Sequence, residues 1–262
     1  MNLDIEQLIE DSITLYEPIV IGKDQRIQNG CKLWRQFQTA VTKCAEGVAN
    51  CGRQLQEKIN ELATAKILSE DRTLSGVICY EPDFLPSGRK IDFVVELDSD
   101  NLYVEVKTVK PEAQDCEKTW ERYQSSEQHH PNNVDLIVNK EWSGAMIYKN
   151  TFASRSKFLD YSLAFEERLE EAQELRSGRG VLVFCGTGFE WTEDNLEDFA
   201  DYYRYKQHRA DDPFALMEQN EVERNNVNIR RNISDFAFVK RFFSTAEVQQ
   251  VHFPVRGPEI GR

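Results

Sequence analysis

The chain has 262 residues, 40% hydrophobic and 29% charged, which fits one large domain, or one domain with appended helices, burying a core without covalent staples. No apolar run approaches the roughly 18 residues of a bilayer span, and the acidic start MNLDIEQLIEDSITLYEP lacks a signal peptide's basic and apolar regions. A net charge of −13 counts against a surface that grips nucleic acid all over, because phosphate contacts need Lys and Arg, but it leaves room for a local site.

In chain order, the first fifty residues read as helical and mixed. Residues 33–48 carry Trp34, Phe37, Val41 and Cys44 at spacings of three and four, a helical period. Residues 55–68 form a second helix with Leu55, Ile59, Leu62, Ala63 and Ile67 in one stripe, and Gly52 is expected to separate the two. Residues 76–80 (GVICY) predict a strand, and a loop with Pro82, Pro86 and Gly88 follows. Residues 91–97 (IDFVVEL) and 102–109 (LYVEVKTV), joined by the polar turn Asp98-Ser99-Asp100-Asn101, predict a hairpin.

Residues 111–151 read as an insertion containing Trp120, His129-His130-Pro131 and Trp142-Ser143-Gly144. Residues 157–175 predict a helix with Phe158, Tyr161, Phe165, Leu169 and Ala172 on one face, stopped by Ser177-Gly178-Arg179-Gly180. Residues 181–185 (VLVFC) read as a buried strand. Thr192 is a candidate N-cap for a helix to about residue 207, and Asp212-Pro213 for another to about 222. Residues 235–243 alternate Phe236, Phe238, Lys240 and Phe242 and suggest a strand. Six cysteines without a CxxC pair give no zinc signature; reduced thiols in a cytoplasm are the simplest reading.

The hairpin carries the chemistry. With its turn centred between Ser99 and Asp100, Asp92 lies opposite Lys107, Val94 opposite Glu105 and Glu96 opposite Tyr103. Asp92, Glu105 and Lys107 then share one face. Ile91, Phe93, Val95, Leu97, Leu102, Val104, Val106 and Thr108 make the other, nearly all apolar, face. Two carboxylates beside an ammonium suit a Mg²⁺ that keeps waters and meets a phosphate. A solvated sheet face with a cross-strand salt pair is the plain alternative.

The run Asp92…Glu105-Val106-Lys107 resembles the signature of the PD-(D/E)XK nuclease superfamily, in which an Asp on one strand is followed by (D/E)-x-K on the next. The order helix, three strands, helix, strand over about residues 55–186 resembles that family's core. Ile91 stands where the family has Pro. The literal Pro82-Asp83 sits in a loop, so Asp92 is preferred over Asp83, and the segment after Lys107 exceeds the minimal core.

The resemblance implies an α/β, restriction-endonuclease-like fold: a mixed central sheet flanked by helices (αβββαβ), with N-terminal helices and a C-terminal α/β extension. The corresponding divisions are 1–52, 53–190 and 191–262. It implies a nuclease hydrolysing phosphodiester bonds, with DNA as expected substrate, leaving a 5′-phosphate and a 3′-hydroxyl. Asp92, Glu105 and the Val106 carbonyl would ligate Mg²⁺ or Mn²⁺, and Lys107 would position or activate water. Many members add a Glu from the first helix; Glu61 is the candidate, Glu57 lies one turn earlier, and a solvated helix charge is the alternative for either.

A catalytically inactive module binding nucleic acid or protein stays open. Arg224, Arg230, Arg231, Lys240 and Arg241 with Phe242 and Phe243 read equally as a phosphate-contacting patch or an ordinary charged face. The acidic run from Glu166 to Asp201 reads as a solvated outer face, with docking of a protein partner as the alternative. Enzymes that cut both strands often dimerise, so a homodimer is kept open too.

Overall fold

The computed structural model describes residues 5–22, 26–49, 51–98, 100–109, 142–186, 196–197, 199–200, 232–241 and 245–256, with side chains given from 158 onward in the last long helix and up to 251 in the last strand. It is an α/β structure with a mixed seven-stranded sheet and four helices among the described residues. The expectations on Thr192, the 212–222 helix, His129, His130, Arg224, Arg230, Arg231, Phe242 and Phe243 lie outside the described residues.

Three helices come first. α1 (Ile5–Ile21) buries Leu8, Ser12, Tyr16 and Val20, four residues apart, against its neighbours. α2 (Gly30–Ala45) buries Leu33, Trp34, Phe37 and Ala40, and α3 (Cys51–Glu70) buries Leu55, Ile59, Leu62 and Leu68. The break between α2 and α3 is made by Gly47, not Gly52. Gly47 has φ +70°, a left-handed conformation that glycine reaches without a Cβ clash, whereas Gly52 lies inside α3.

The strands are β1 (Ile27–Gln28), β2 (Val77–Tyr80), β3 (Phe93–Glu96), β4 (Asn101–Thr108), β5 (Gly178–Gly186), β6 (Ile233–Lys240) and β7 (Gln250–Arg256), lying in the sheet in that order. β2–β3, β3–β4 and β6–β7 are antiparallel; β1–β2, β4–β5 and β5–β6 are parallel. α4 (Trp142–Leu175) links β4 back to β5. It starts at Trp142, so the last ten residues of the expected insertion, from 142 to 151, belong to it.

Helices cover the sheet on both sides. Phe93, Val95, Leu102, Val104, Val106, Val183 and Ala237 share one apolar cluster with residues of α1, α2 and α3. On the other side Val94, Tyr103, Leu182, Phe184, Phe236 and Phe238 pack with Phe158, Phe165 and Leu169 of α4 and with Phe199. The face expected to be polar is therefore also a core face, and Ile91 joins that second cluster, opposite to the expectation. Asp92 lies in a bend, so strand alternation no longer governs residue 91.

Two further expectations change. The helix ends at Leu175 as expected, but Gly178 and Gly180 belong to β5; a Cβ at Gly178 would clash with the ring of Tyr103, which donates its hydroxyl to the Arg176 carbonyl at 2.8 Å. Arg241 is not part of a surface patch. It is buried and donates to Asn60 Oδ1 at 2.9 Å, to the Thr245 carbonyl at 2.7 Å and to Gln56 Oε1.

Candidate active site

The hairpin register differs from the expected one by two residues: Val94 faces Tyr103 and Glu96 faces Asn101. The cause is a tighter turn, closed by the Leu97 amide donating to the Asp100 carbonyl at 2.9 Å. A slip of two preserves the alternation along β4, so Glu105 and Lys107 keep a common side; Asp92, in the bend before β3, reaches them by its own hydrogen bond. Continued one step past Phe93–Val104, the register sets Asp92 across from Glu105.

β3 stops just there. The next residue pair to exchange ladder hydrogen bonds would be Ile91 with Val106. Instead the chain bends at Asp92, and the Val106 amide donates to Asp92 Oδ2 at 2.7 Å. The amide and carbonyl of a strand residue point to the same side, so the Val106 carbonyl faces the same notch.

Glu105 and Lys107 alternate along β4 onto the α4 side. Lys107 Nζ lies 2.5 Å from Glu105 Oε1, and Arg168 Nη2, from α4, lies 2.6 Å from the same oxygen. Glu105 is 2% exposed; its Oε2 and the Arg168 Nε are buried without a hydrogen-bond partner among the described residues. Lys107 Nζ also stands 5.9 Å from the Tyr161 ring centroid.

A cleft of about 230 Å³ opens at the notch, lined by Arg53, Glu57, Glu61, Asp92, Val106, Lys107, Thr108 and Tyr161. Beyond the end of β3 at Phe93, residues from both helical layers reach in: Glu61 from α3 and Tyr161 from α4. Glu61 receives Lys58 Nζ at 2.8 Å on both oxygens and the Tyr80 hydroxyl at 2.6 Å on Oε2. Glu57 pairs with Arg53 at 2.9 Å. Asp83 is exposed, pairs with Lys90 at 2.9 Å and does not line the cleft.

The electrostatics are those of crowded charge. Burial, then the carboxylates of Glu105 and Glu61, push the Asp92 carboxyl well above the usual carboxylate range, against the pull of Lys107 and the Val106 amide. Burial likewise raises Glu61, opposed by Lys58 and Tyr80. Burial disfavours the Lys107 ammonium, but Glu105 and Asp92 outweigh it and raise its pKa, so Lys107 stays cationic.

Among the described residues no three His, Cys, Asp or Glu side chains form a ready-made metal cage. Asp92 and Glu105 offer two carboxylates, the latter with a buried oxygen that has no partner among the described residues, and Val106 offers a strand carbonyl beside the Asp92 bend. That set suits a hard cation that keeps several of its waters, as Mg²⁺ does.

The sequence brought Asp92, Glu61, Val106 and Lys107 to one cleft but set Glu105 beside them as an open ligand; it lies behind Lys107 instead. It missed Arg168, Tyr80 and Lys58. Arg168 had a signal: it lies three residues after Phe165 and four before Ala172, a charge on the apolar stripe of α4. Comparison of the chain with protein-family models, with curated proteins and with solved structures returned no match.

Proposed function

We propose that this chain is a metal-dependent nuclease of the PD-(D/E)XK type, with a restriction-endonuclease-like core, hydrolysing phosphodiester bonds in DNA. The observation that carries this reading is the meeting of Glu61, Asp92, Val106 and Lys107 in one cleft, with Glu105 joined to Lys107. The element order α3, β2, β3, β4, α4, β5 supports it, since that family's core runs in the same sequence of helix and strands.

In this reading Asp92, Glu105 and the Val106 carbonyl would hold Mg²⁺ or Mn²⁺. When bound, the cation supplies a water of lowered pKa and neutralises charge on the phosphoryl oxygens. The protein's own task is positioning. The Val106 amide fixes the Asp92 carboxylate, and Lys107 presents a permanent ammonium to the cleft, where it orients the attacking water or holds a phosphoryl oxygen. Glu61, held by Lys58 and Tyr80, keeps negative charge on the α3 side.

A second reading, a non-catalytic module on the same scaffold, draws on Glu105 being already neutralised by two cations and on the net charge of −13. One assay separates them: cleavage of plasmid, linear duplex, single-stranded DNA and RNA with Mg²⁺, Mn²⁺ or EDTA, beside Lys107→Ala. Metal-dependent cutting that Lys107→Ala loses supports the nuclease. Binding without cutting in any metal favours the module.

A further inference from the structure

Arg168 makes an incomplete pair with Glu105. A guanidinium and a carboxylate frequently meet as a two-pronged fork. Here a single oxygen, Glu105 Oε1, takes both Arg168 Nη2 and Lys107 Nζ, while Glu105 Oε2 and Arg168 Nε are buried and without a hydrogen-bond partner among the described residues. Two cations thus share one oxygen, and the other has none among the described residues.

We propose that Arg168 is a stand-in for the divalent cation: its guanidinium neutralises Glu105 while the metal is away and is displaced from that carboxylate when the metal binds. This rests on the metal-centre reading above. Adding a divalent ion to a carboxylate already facing two positive groups is electrostatically unfavourable unless one of them leaves. Lys107 is the worse candidate to leave, since Asp92 as well as Glu105 attracts it and it already faces the cleft. Arg168 comes from another element on a long stem. Helix side chains lean toward the N-terminus, so its stem runs toward Tyr161, two turns earlier, which lines the cleft. A guanidinium released in that direction meets the place a substrate phosphate would occupy.

The test is calorimetric titration of Mn²⁺ into the full chain as wild type, Arg168→Gln, Arg168→Lys and Glu105→Gln, at one pH and salt. Removing the competing charge in Arg168→Gln tightens Mn²⁺ binding about tenfold, the scale of a typical coupling between two ligands; Arg168→Lys, still cationic, stays near wild type, and Glu105→Gln weakens it. Unchanged or weaker binding by Arg168→Gln overturns the proposal; if Glu105→Gln then still loses Mn²⁺, the metal centre stands without it. No Mn²⁺ binding by any variant overturns both.

A wild-type readout guards against misfolding of Arg168→Gln. The arginine Nε–H resonance absent from Arg168→Lys moves on saturation with Mg²⁺, as expected for a guanidinium changing partners. The same resonance staying in place while Mg²⁺ binds would overturn the proposal.

Discussion

Lys107 Nζ stands 2.5 Å from Glu105 Oε1, two residues back on the same strand and the same side. The pair is therefore set by β4 alone and does not depend on docking of any other element. Its cation reaches the cleft and is stabilised by two carboxylates, Glu105 and Asp92. Replacement by Gln is expected to lower kcat by about 10²–10³-fold, the scale of losing one preorganised electrostatic contact in a transition state. Arg168 still covers Glu105, so the fold survives. Single-turnover cleavage, with circular dichroism as the control, checks this; a Lys107→Gln enzyme at wild-type rate removes Lys107 from the chemistry.

Asp92 makes stability depend on pH in a definite direction. Its folded pKa is raised above the roughly 3.9 of an unfolded Asp, so the native state binds the extra proton. The contribution is fully present below the unfolded value and is lost as pH rises through the folded one. Asp92→Asn stays neutral and escapes that loss, while its side-chain oxygen still accepts the Val106 amide. The variant is expected to melt above wild type at pH 8, with the gap closing toward pH 4. Melting curves across that range decide it, and a lower melting point at pH 8 would contradict the crowded-carboxylate picture.

Tyr80 links the helical layer to the cleft through its hydroxyl on Glu61. Tyr80→Phe removes a donor from a buried carboxylate at a cost of about 1–3 kcal/mol. In a Glu61→Gln background the same change costs less, because the charged acceptor has gone. Urea denaturation of the two single variants and the double variant measures the difference; equal costs in both backgrounds would mean that the two groups act independently.

Arg241 tests the distinction between a buried cation and a nucleic-acid-binding one. Arg241→Met leaves Asn60, Gln56 and the Thr245 carbonyl without a charged donor, and a loss of about 3 kcal/mol is expected. The salt dependence of any DNA binding should not change, since a buried guanidinium releases no counterions from the duplex. A shallower salt slope in Arg241→Met would return Arg241 to the binding surface.

The shared side of Glu105 and Lys107 was legible because alternation along one strand survives a two-residue slip, even though the turn itself was misplaced; the bend that turns the Asp92 carboxylate to the Val106 amide was not. The helix over 157–175 was legible from its stripe, but its true start at Trp142 was not, because residues 142–151 carry little apolar periodicity. β7 escaped notice: its residues pair with β6, and partners distant in sequence leave little local pattern. The role of Arg168 is tertiary in the same way. Its neighbours on the helix mark it as misplaced, but only β4, laid beneath α4, supplies the carboxylate that explains it.

The notch at Val106 has a consequence for anyone redesigning this protein. A sequence that zipped β3 one pair further, joining Ile91 to Val106, would add hydrogen bonds and remove an irregular bend. By every criterion of a well-made sheet it would be an improvement. It would also turn the Asp92 carboxylate away from the Val106 amide and close the open edge. Thermostability and the cleft compete here for a single backbone amide, so selection for a more regular hairpin is expected to return tougher proteins with an emptied centre.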